Sequence, residues 1–426
     1  MASSILHIKD TYYFEVPKPL WRSKCEGPGD FPELWVELDP DFQRYEAGKM
    51  VEWLEKVASK DASHPDMQHW LHEWESWTHQ SGNHGKPFNL FLESQYAGLK
   101  KEAGEGRDLK PFLDKNPSEY SWFALKYDDA QFRSQWKGAK QGSGDINGYL
   151  QIASWSPEKI DGYNKAISGK ILIPQPFGKL RNFYEPESGF CISKFMIVEL
   201  VVALILVLLF GWLAAKTTKG GPPKGRLWNL LEVFVVFIRD QVARPAIGGH
   251  DADKFVPLLL TMFFFVLGCN LMGMIPWVGA PTGAFGTTLA MALVTFSTVC
   301  IAGMAKFGFL GFFKNQVPSM DLPLPIAVVV LPMLFAIEIL GLLIKHLVLA
   351  VRLLANMVAG HLVILAIMTM AFSAEGAVGS TWFIAAPISL AGTTLFNLLE
   401  LFVAFLQAYV FTFLSALFIG AAVHHH

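Results

Sequence analysis

From Leu324 to Phe372 the chain runs for 49 residues with no polar loop, yet Glu338, Lys345, Arg352 and His361 lie inside this apolar stretch. At about 1.5 Å per residue a helix of that length extends roughly 73 Å, against a hydrocarbon core of roughly 30 Å. The stretch is therefore either two spans or one helix lying steeply tilted in a membrane. Ionisable groups at membrane depth are costly, and they line a pathway or meet a partner. Any fold for this chain has to account for the arginine.

The rest of the sequence divides around that demand. From Phe195 onward there are 11 Lys+Arg and 9 Asp+Glu, and the preceding residues hold the other 24 and 28. The expected organisation is a polar, mainly α-helical domain over 1–191 followed by an all-α polytopic membrane domain over 192–426. The net charge of −2 gives no nucleic-acid footprint, and the four cysteines have no metal-ligand spacing. Cys269 and Cys300 sit in apolar runs as packing residues, while Cys25 and Cys191 could pair only in an oxidising compartment. The first residues lack the basic start and apolar core of a signal peptide, and are not Arg- and Ser-rich like an organellar presequence.

In the polar part, residues 1–40 read as irregular or short-strand structure. A helix is expected from Glu46 to about His79, interrupted near Ser63-His64-Pro65, with further helices over Asn89–Gly104 and Ser118–Lys137. Residues 138–149 read as a Gly- and Ser-rich loop and 174–189 as a linker into the membrane. Trp70, Trp74 and Trp77 fall on one helix face, as a core stripe does. His64, His69, His72, His79 and His84 crowd the same region, but a zinc site needs third and fourth ligands that the spacing does not define. They read as surface histidines. The chain carries no nucleotide-binding glycine loop, no nucleophile motif and no internal repeat.

About five membrane-embedded helices are expected, the last two long and tilted. Residues 195–215 make one span, 255–277 and 286–305 a helical hairpin, and 381–423 a final stretch. Residues 226–248 alternate an apolar face with Glu232, Arg239, Asp240 and Arg244, which suits a helix lying in the interface. Lys216, Lys219, Lys224, Arg226, Lys306 and Lys314 make the connections on one side basic, while the 278–285 turn and the 373–381 loop have no basic residue. That puts the basic connections and the C-terminus inside and the N-terminal domain on the extracytoplasmic side.

Helical spacing sorts the intramembrane polar groups. Glu338, Lys345 and Arg352 are seven apart, a stripe drifting about 20° per step, and Asn356 lies about 40° from Arg352. His361 is nine residues on, about 180° around the helix from the arginine. In the last stretch Thr393, Glu400 and Gln407 recur every seven, with Asn397 and Ala404 between them. A buried carboxylate needs a proton or a partner, and His361 is the partner of choice for Glu400. Arg352 stays protonated, so it cannot itself relay protons. Glu338 is roughly 21 Å away along the helix, so a carboxylate for Arg352 belongs to another subunit.

RLLANMVAGH (352–361) followed by NLLELFVAFLQAYVFTFLSALFI (397–419) resembles subunit a of F-type ATP synthases. LEVFVVFIRDQVARPAIG (231–248), NLMGMIP (270–276) and the Glu338/Lys345 spacing also match, whereas the first 190 residues are far longer than the family's usual N-terminal segment. The resemblance implies a non-catalytic, proton-translocating subunit with no cofactor and no nucleotide site. Its partners would be a ring of c subunits, peripheral-stalk b subunits, lipid and protons. Arg352 would be its essential arginine. His361, Glu400, Asn356, Gln407, Asn270 and Asn397 would belong to the proton path, with Glu338 and Lys345 toward the other half-channel. The alternatives are a proton-coupled secondary transporter, for which internal repeats are lacking, and a non-transporting scaffold, which would not need buried charge. With no presequence, a bacterial inner membrane is expected.

Overall fold

The computed structural model describes residues 10–21, 24–59, 66–80, 83, 85–104, 108–217, 225–275, 277–315, 324–372 and 382–424. These form two compact units. One joins the described residues up to Glu15 with those from Ile192 onward, and the other is Val16–Cys191.

The first unit is an all-α polytopic membrane domain. Its helices are α1 (Lys194–Thr217), α2, α3 (Gly249–Gly273), α4 (Phe285–Phe307), α5 (Phe309–Asn315), α6 (Leu324–Phe372) and α7 (Trp382–Val423). Helix α2 runs over Arg226–Phe237, through a π-helical turn at Ile238–Ala243, into Arg244–Ile247. Helices α1, α3, α4, α6 and α7 are long and apolar enough to cross a membrane; α2 is not among them. The two long apolar stretches are each one continuous helix. A proline near the start of each, Pro332 and Pro387, leaves the helix unbroken.

Helix α2 is amphipathic in the structure. Ile238, Val242, Ala243 and Ile247 are buried in the helical core, while Arg239 and Arg244 pair on the outer side with Asp240 at 2.9 and 2.8 Å. The arginines hold the Asp240 carboxyl below its ordinary range. The membrane core joins α2, α3, α4, α6 and α7 through Leu259, Phe263, Val299, Leu353, Phe411 and Ile419. A side chain at Gly420 would strike the Ala246 carbonyl, so the absent side chain there lets α7 touch α2 backbone to backbone. The outer faces carry exposed Leu200, Val207 and Leu208 on α1 and Leu398 and Phe402 on α7, apolar surface fit for lipid. The segment before α1 is bound into this unit: Lys194 donates its N–H to the Thr11 carbonyl (2.8 Å) and Phe195 its N–H to Asp10 (3.2 Å). Of the basic connections, Lys219 and Lys224 lie outside the described residues, as does the 373–381 loop.

The second unit is mainly helical around an aromatic core. Pro40–Ala58 and Met67–Thr78 cover the first expected helix; its interruption at Ser63-His64-Pro65 lies outside the described residues, as does His84. Trp70 and Trp74 are buried and Trp77 packs beside them, with rings 5.5, 6.0 and 5.5 Å from Tyr120, Phe88 and Phe91. The stripe is core. Phe88–Ala103 is one helix, but the segment expected as Ser118–Lys137 is two, Ser121–Tyr127 and Ala130–Ser143. The Asp129 side chain accepts from the Gln131 N–H and starts the second.

Two expectations fail here. Residues 138–149 are helical rather than a loop, with only Gly144 and Asp145 between Ala130–Ser143 and Ile146–Ile152. Buried Tyr149 anchors the latter helix by donating to Asp39 (2.9 Å), a tertiary contact that outweighs the glycines' low helix propensity. Residues 174–189 are a β-hairpin, β1 (Gly178–Asn182) against β2 (Glu185–Gly189), rather than a linker. Asn182 accepts from the Tyr184 N–H to close its turn, and Leu180 is buried. Cys25 and Cys191 are free thiols.

Candidate functional site

Helices α6 and α7 pack against each other and bring the predicted polar groups together at one place. His361 Nδ1 lies 3.1 Å from Glu400 Oε1 and 3.0 Å from the Met357 carbonyl one turn back, while Nε2 is 3.1 Å from the Gly273 carbonyl at the end of α3. Three oxygens thus face two ring nitrogens. The Nδ1 contact to Glu400 is an ion-pair distance, and Glu400 Oε1 has no hydrogen-bond donor among the described residues. A neutral ring can satisfy only one of its two carbonyl acceptors, whereas a protonated ring satisfies both and neutralises the carboxylate. The pair is therefore built to hold one proton between an imidazole and a carboxyl.

Glycine makes this approach possible. A Cβ at Gly360 would sit 2.9 Å from Glu400 Oε1, so the small residue before His361 opens the slot that the carboxylate occupies. At Gly273 a Cβ would strike Met357, so the end of α3 can come close enough to offer its carbonyl to the ring.

A turn away, Asn356 donates to Gln407 Oε1 at 2.7 Å, across the α6–α7 seam. On α3, Asn270 is buried; it donates to the Ala404 carbonyl (3.3 Å) and accepts from the Thr282 hydroxyl (2.8 Å). Asn270, Asn356, Glu400 and Gln407 line a cavity of about 20 Å³. That is room for one water; Gln407 Nε2 is buried with no hydrogen-bond partner among the described residues, and Glu400 Oε1 has only its ion-pair contact with His361. Five of the predicted residues thus converge: His361, Glu400, Asn356, Gln407 and Asn270.

Others do not. Asn397 is exposed in an outer recess with Thr394 and Leu398, separated from the inner cavity by Met274, which lines both. Glu338 and Lys345 face each other at 3.7 Å, both partly exposed, on the far side of Arg352 along α6. Arg352 itself is exposed, and among the described residues none makes an ion pair or hydrogen bond with its side chain. Its neighbours on that surface include exposed Val351 and the small residues Ala355 and Ala359.

Two ionisable groups in the spans escape the heptad stripes. His346 is buried on α6 against the rings of Phe296 (5.2 Å) and Phe418 (4.9 Å), bonding the Leu342 carbonyl through Nδ1. Glu199 on α1 accepts from the Thr287 hydroxyl at 2.7 Å. The signal available for both was their place inside an apolar run, which marks any titratable residue regardless of its period. In the polar unit, His69 Nε2 is 3.6 and 3.8 Å from Glu73 and Glu119, all at the surface, and His72 stands outside this group.

Set beside known proteins, the membrane unit has many relatives. The family profile of the ATP synthase A chain matches residues 196–420. An ATP synthase subunit a of Chloroherpeton thalassium is 39% identical over 274 residues, covering 63% of this chain and 78% of that one. One of Myxococcus xanthus is 40% identical over 240 residues, 55% of this chain and 75% of its own length. One of Anaeromyxobacter dehalogenans is 44% identical over 218 residues, and the match spans about half of each chain, 50% of this one and 53% of the relative.

Proposed function

Because the chain belongs to the ATP synthase A chain family, we propose that its membrane unit conducts protons past Arg352 by way of a rotating ring of carboxylate-bearing subunits. The observation that carries this reading is the division of α6 into two faces. One presents an exposed arginine with no side-chain partner among the described residues, and the other holds half-buried His361 against buried Glu400.

Protons enter through a half-channel ending at the His361–Glu400 pair, with Asn270, Asn356 and Gln407 supplying polar contacts and a site for one water. The pair passes a proton to a ring carboxylate, which then turns into lipid uncharged. After a full rotation the carboxylate comes back to the arginine from the other side. It releases its proton into a second half-channel, where Glu338 and Lys345 provide the polar lining. Arg352 attracts each ionised carboxylate as it arrives and, being permanently charged, blocks a direct leak between the half-channels. Each charge crossing the membrane carries about 2.3 kcal/mol per 100 mV, so several are needed per ATP. The His–Glu chemistry suits protons. Peripheral-stalk b subunits hold this unit against the ring's torque. Asn397, on the outer face, contributes at most to the channel mouth. The basic connections face the cytoplasm of a bacterium, and the polar N-terminal unit stands on the opposite side.

In the assembled complex, Arg352→Ala abolishes ATP-driven proton pumping while leaving assembly intact. Normal pumping by that variant would overturn the reading. Protease added to sealed vesicles of known sidedness tests the placement of the N-terminal unit.

A further inference from the structure

The proton path just proposed leaves Glu199 unused, although a carboxylate inside an apolar helix is costly without a task. It lies five residues after Lys194, about 7.5 Å along α1 from its start. Thr287, its hydroxyl donor, is two residues into α4, and Asn270 is three residues from the end of α3. The start of α1, the end of α3 and the start of α4 meet around the 277–284 turn. There a Cβ at Gly279 would sit 3.0 Å from Lys194 Nζ, and Thr282 bonds Asn270. The polar groups of these three helices therefore share one depth, and Asn270 among them lines the one-water cavity.

We propose that Glu199 is the outer proton-collecting group of this path. It takes a proton from water and passes it along the hydroxyls of Thr287 and Thr282 and the water of the one-water cavity to Glu400, with the Asn270 amide orienting this relay and not carrying the proton. This assignment rests on the proton-path reading above. The observed pairs are Glu199–Thr287 at 2.7 Å and Thr282–Asn270 at 2.8 Å, with the short turn from 282 to 287 between them. Asn270 and Glu400 then share the cavity. Thr287 and Thr282 make no hydrogen bond to each other, so a water bridges them, and each hydroxyl or water gives one proton forward as it accepts one from behind. Asp10, on the segment before α1, is a titratable group whose charge reaches Glu199, and Glu199 in turn acts on the Cys269 thiol of α3. Neither has a place in the route.

The competing role is a clamp between α1 and α4. Glutamine would serve a clamp as well as glutamate, because its amide oxygen still accepts from Thr287. Glu199→Gln in the assembled complex is thus the discriminating variant, read as proton flow through vesicles at several proton concentrations on the entry side. A collector limits flow only when protons are scarce. The expected loss is on the order of tenfold at low proton concentration, below the hundredfold or more for a directly reacting group, and shrinks as protons become abundant. Glu199→Asp, which keeps the carboxyl, recovers flow. An unchanged rate in Glu199→Gln, or a loss equal at all proton concentrations, overturns the inference. Glu400→Gln run in parallel separates the two claims. If it slows flow and Glu199→Gln does not, only the collector is lost; if neither slows flow, the path itself is wrong.

Discussion

The two units of this molecule put charge in opposite places. In the N-terminal unit the interior is aromatic, with Trp70, Phe91, Phe123 and Trp136 fully buried, and most of the ion pairs are at the surface, as between Arg44 and Glu75. In the membrane unit the outside is leucine and phenylalanine, and Glu400, Gln407, Asn270 and His346 are inside. The solvent explains the inversion. Water solvates a charge at no cost and drives apolar groups inward, whereas lipid accepts apolar groups freely and forces polar ones to find partners within the protein. The exception on each side is informative. Arg352 is a charge on the lipid-like surface of its unit, and Asp39 is a carboxylate buried in its own. The latter is explained locally, because Lys159 and Tyr149 hold it at 2.6 and 2.9 Å. The former has no such partner among the described residues, and in the proposed mechanism it meets the carboxylate of another chain.

Substitutions can break or sharpen this contrast, from the largest effect to the smallest. Arg352→Lys keeps the charge at the exceptional site but replaces a permanently protonated fork by an ammonium that can lose its proton when desolvated, so ATP-coupled proton pumping falls by about a hundredfold or more. Pumping near the unmodified level would show that any cation suffices. In the polar unit the largest effect belongs to the aromatic interior. Trp136→Ala removes a ring packed 5.2 Å from Phe123 and hydrogen-bonded to Glu93, and costs about 3–5 kcal/mol in the unfolding of that unit. Denaturant titration followed by tryptophan fluorescence measures it.

Gly360→Ala tests the buried side of the contrast without touching a titratable group. The added methyl pushes Glu400 from His361, and proton flow drops severalfold, about as a buried overpacking of 1–3 kcal/mol would give. Unchanged flow would mean that the contact is not used. Glu46 probes the polar unit's own partly buried carboxyl. Burial, and then the Glu187 charge, push it up to about 7 from its ordinary 4.5, with Lys140 opposing. The folded unit therefore binds the Glu46 proton more tightly than the unfolded chain does. Stability is greatest below about pH 4.5 and falls as pH rises to about 7, for this group. Glu46→Gln flattens that part of the stability–pH curve, measured by thermal unfolding across the range. The smallest effect is Arg44→Ala at the exposed Glu75 pair, within about 1 kcal/mol.

Much of this was legible in the chain. The apolar run with an arginine in it demanded a membrane fold, and the sevenfold spacing of Thr393, Glu400 and Gln407 put one polar stripe on the last helix. The half-turn between Arg352 and His361 was also enough to separate two faces. Spacing along one helix says nothing, however, about depth on another. It could not tell that Asn397 turns outward while Glu400 turns in, or that Gly273 carries a carbonyl to the imidazole. Nor could periodicity find Glu199, whose hydroxyl partner Thr287 is 88 residues away. In the polar unit, local glycine content misled over 138–149, because Tyr149 and Asp39 meet only once the chain has folded.

The sequence by itself determined the class of solvent, the extent of the long apolar stretches and the angular order of polar groups along each, because these depend on composition and on the fixed pitch of the helix. Only the tertiary structure decided which stripes face each other and where a water fits between them. It also decided that α6 and α7 each remain single helices. Those outcomes depend on contacts between residues far apart in the chain, such as Gly360 with Glu400 and Gly420 with Ala246, where the absence of a side chain sets how closely two helices approach.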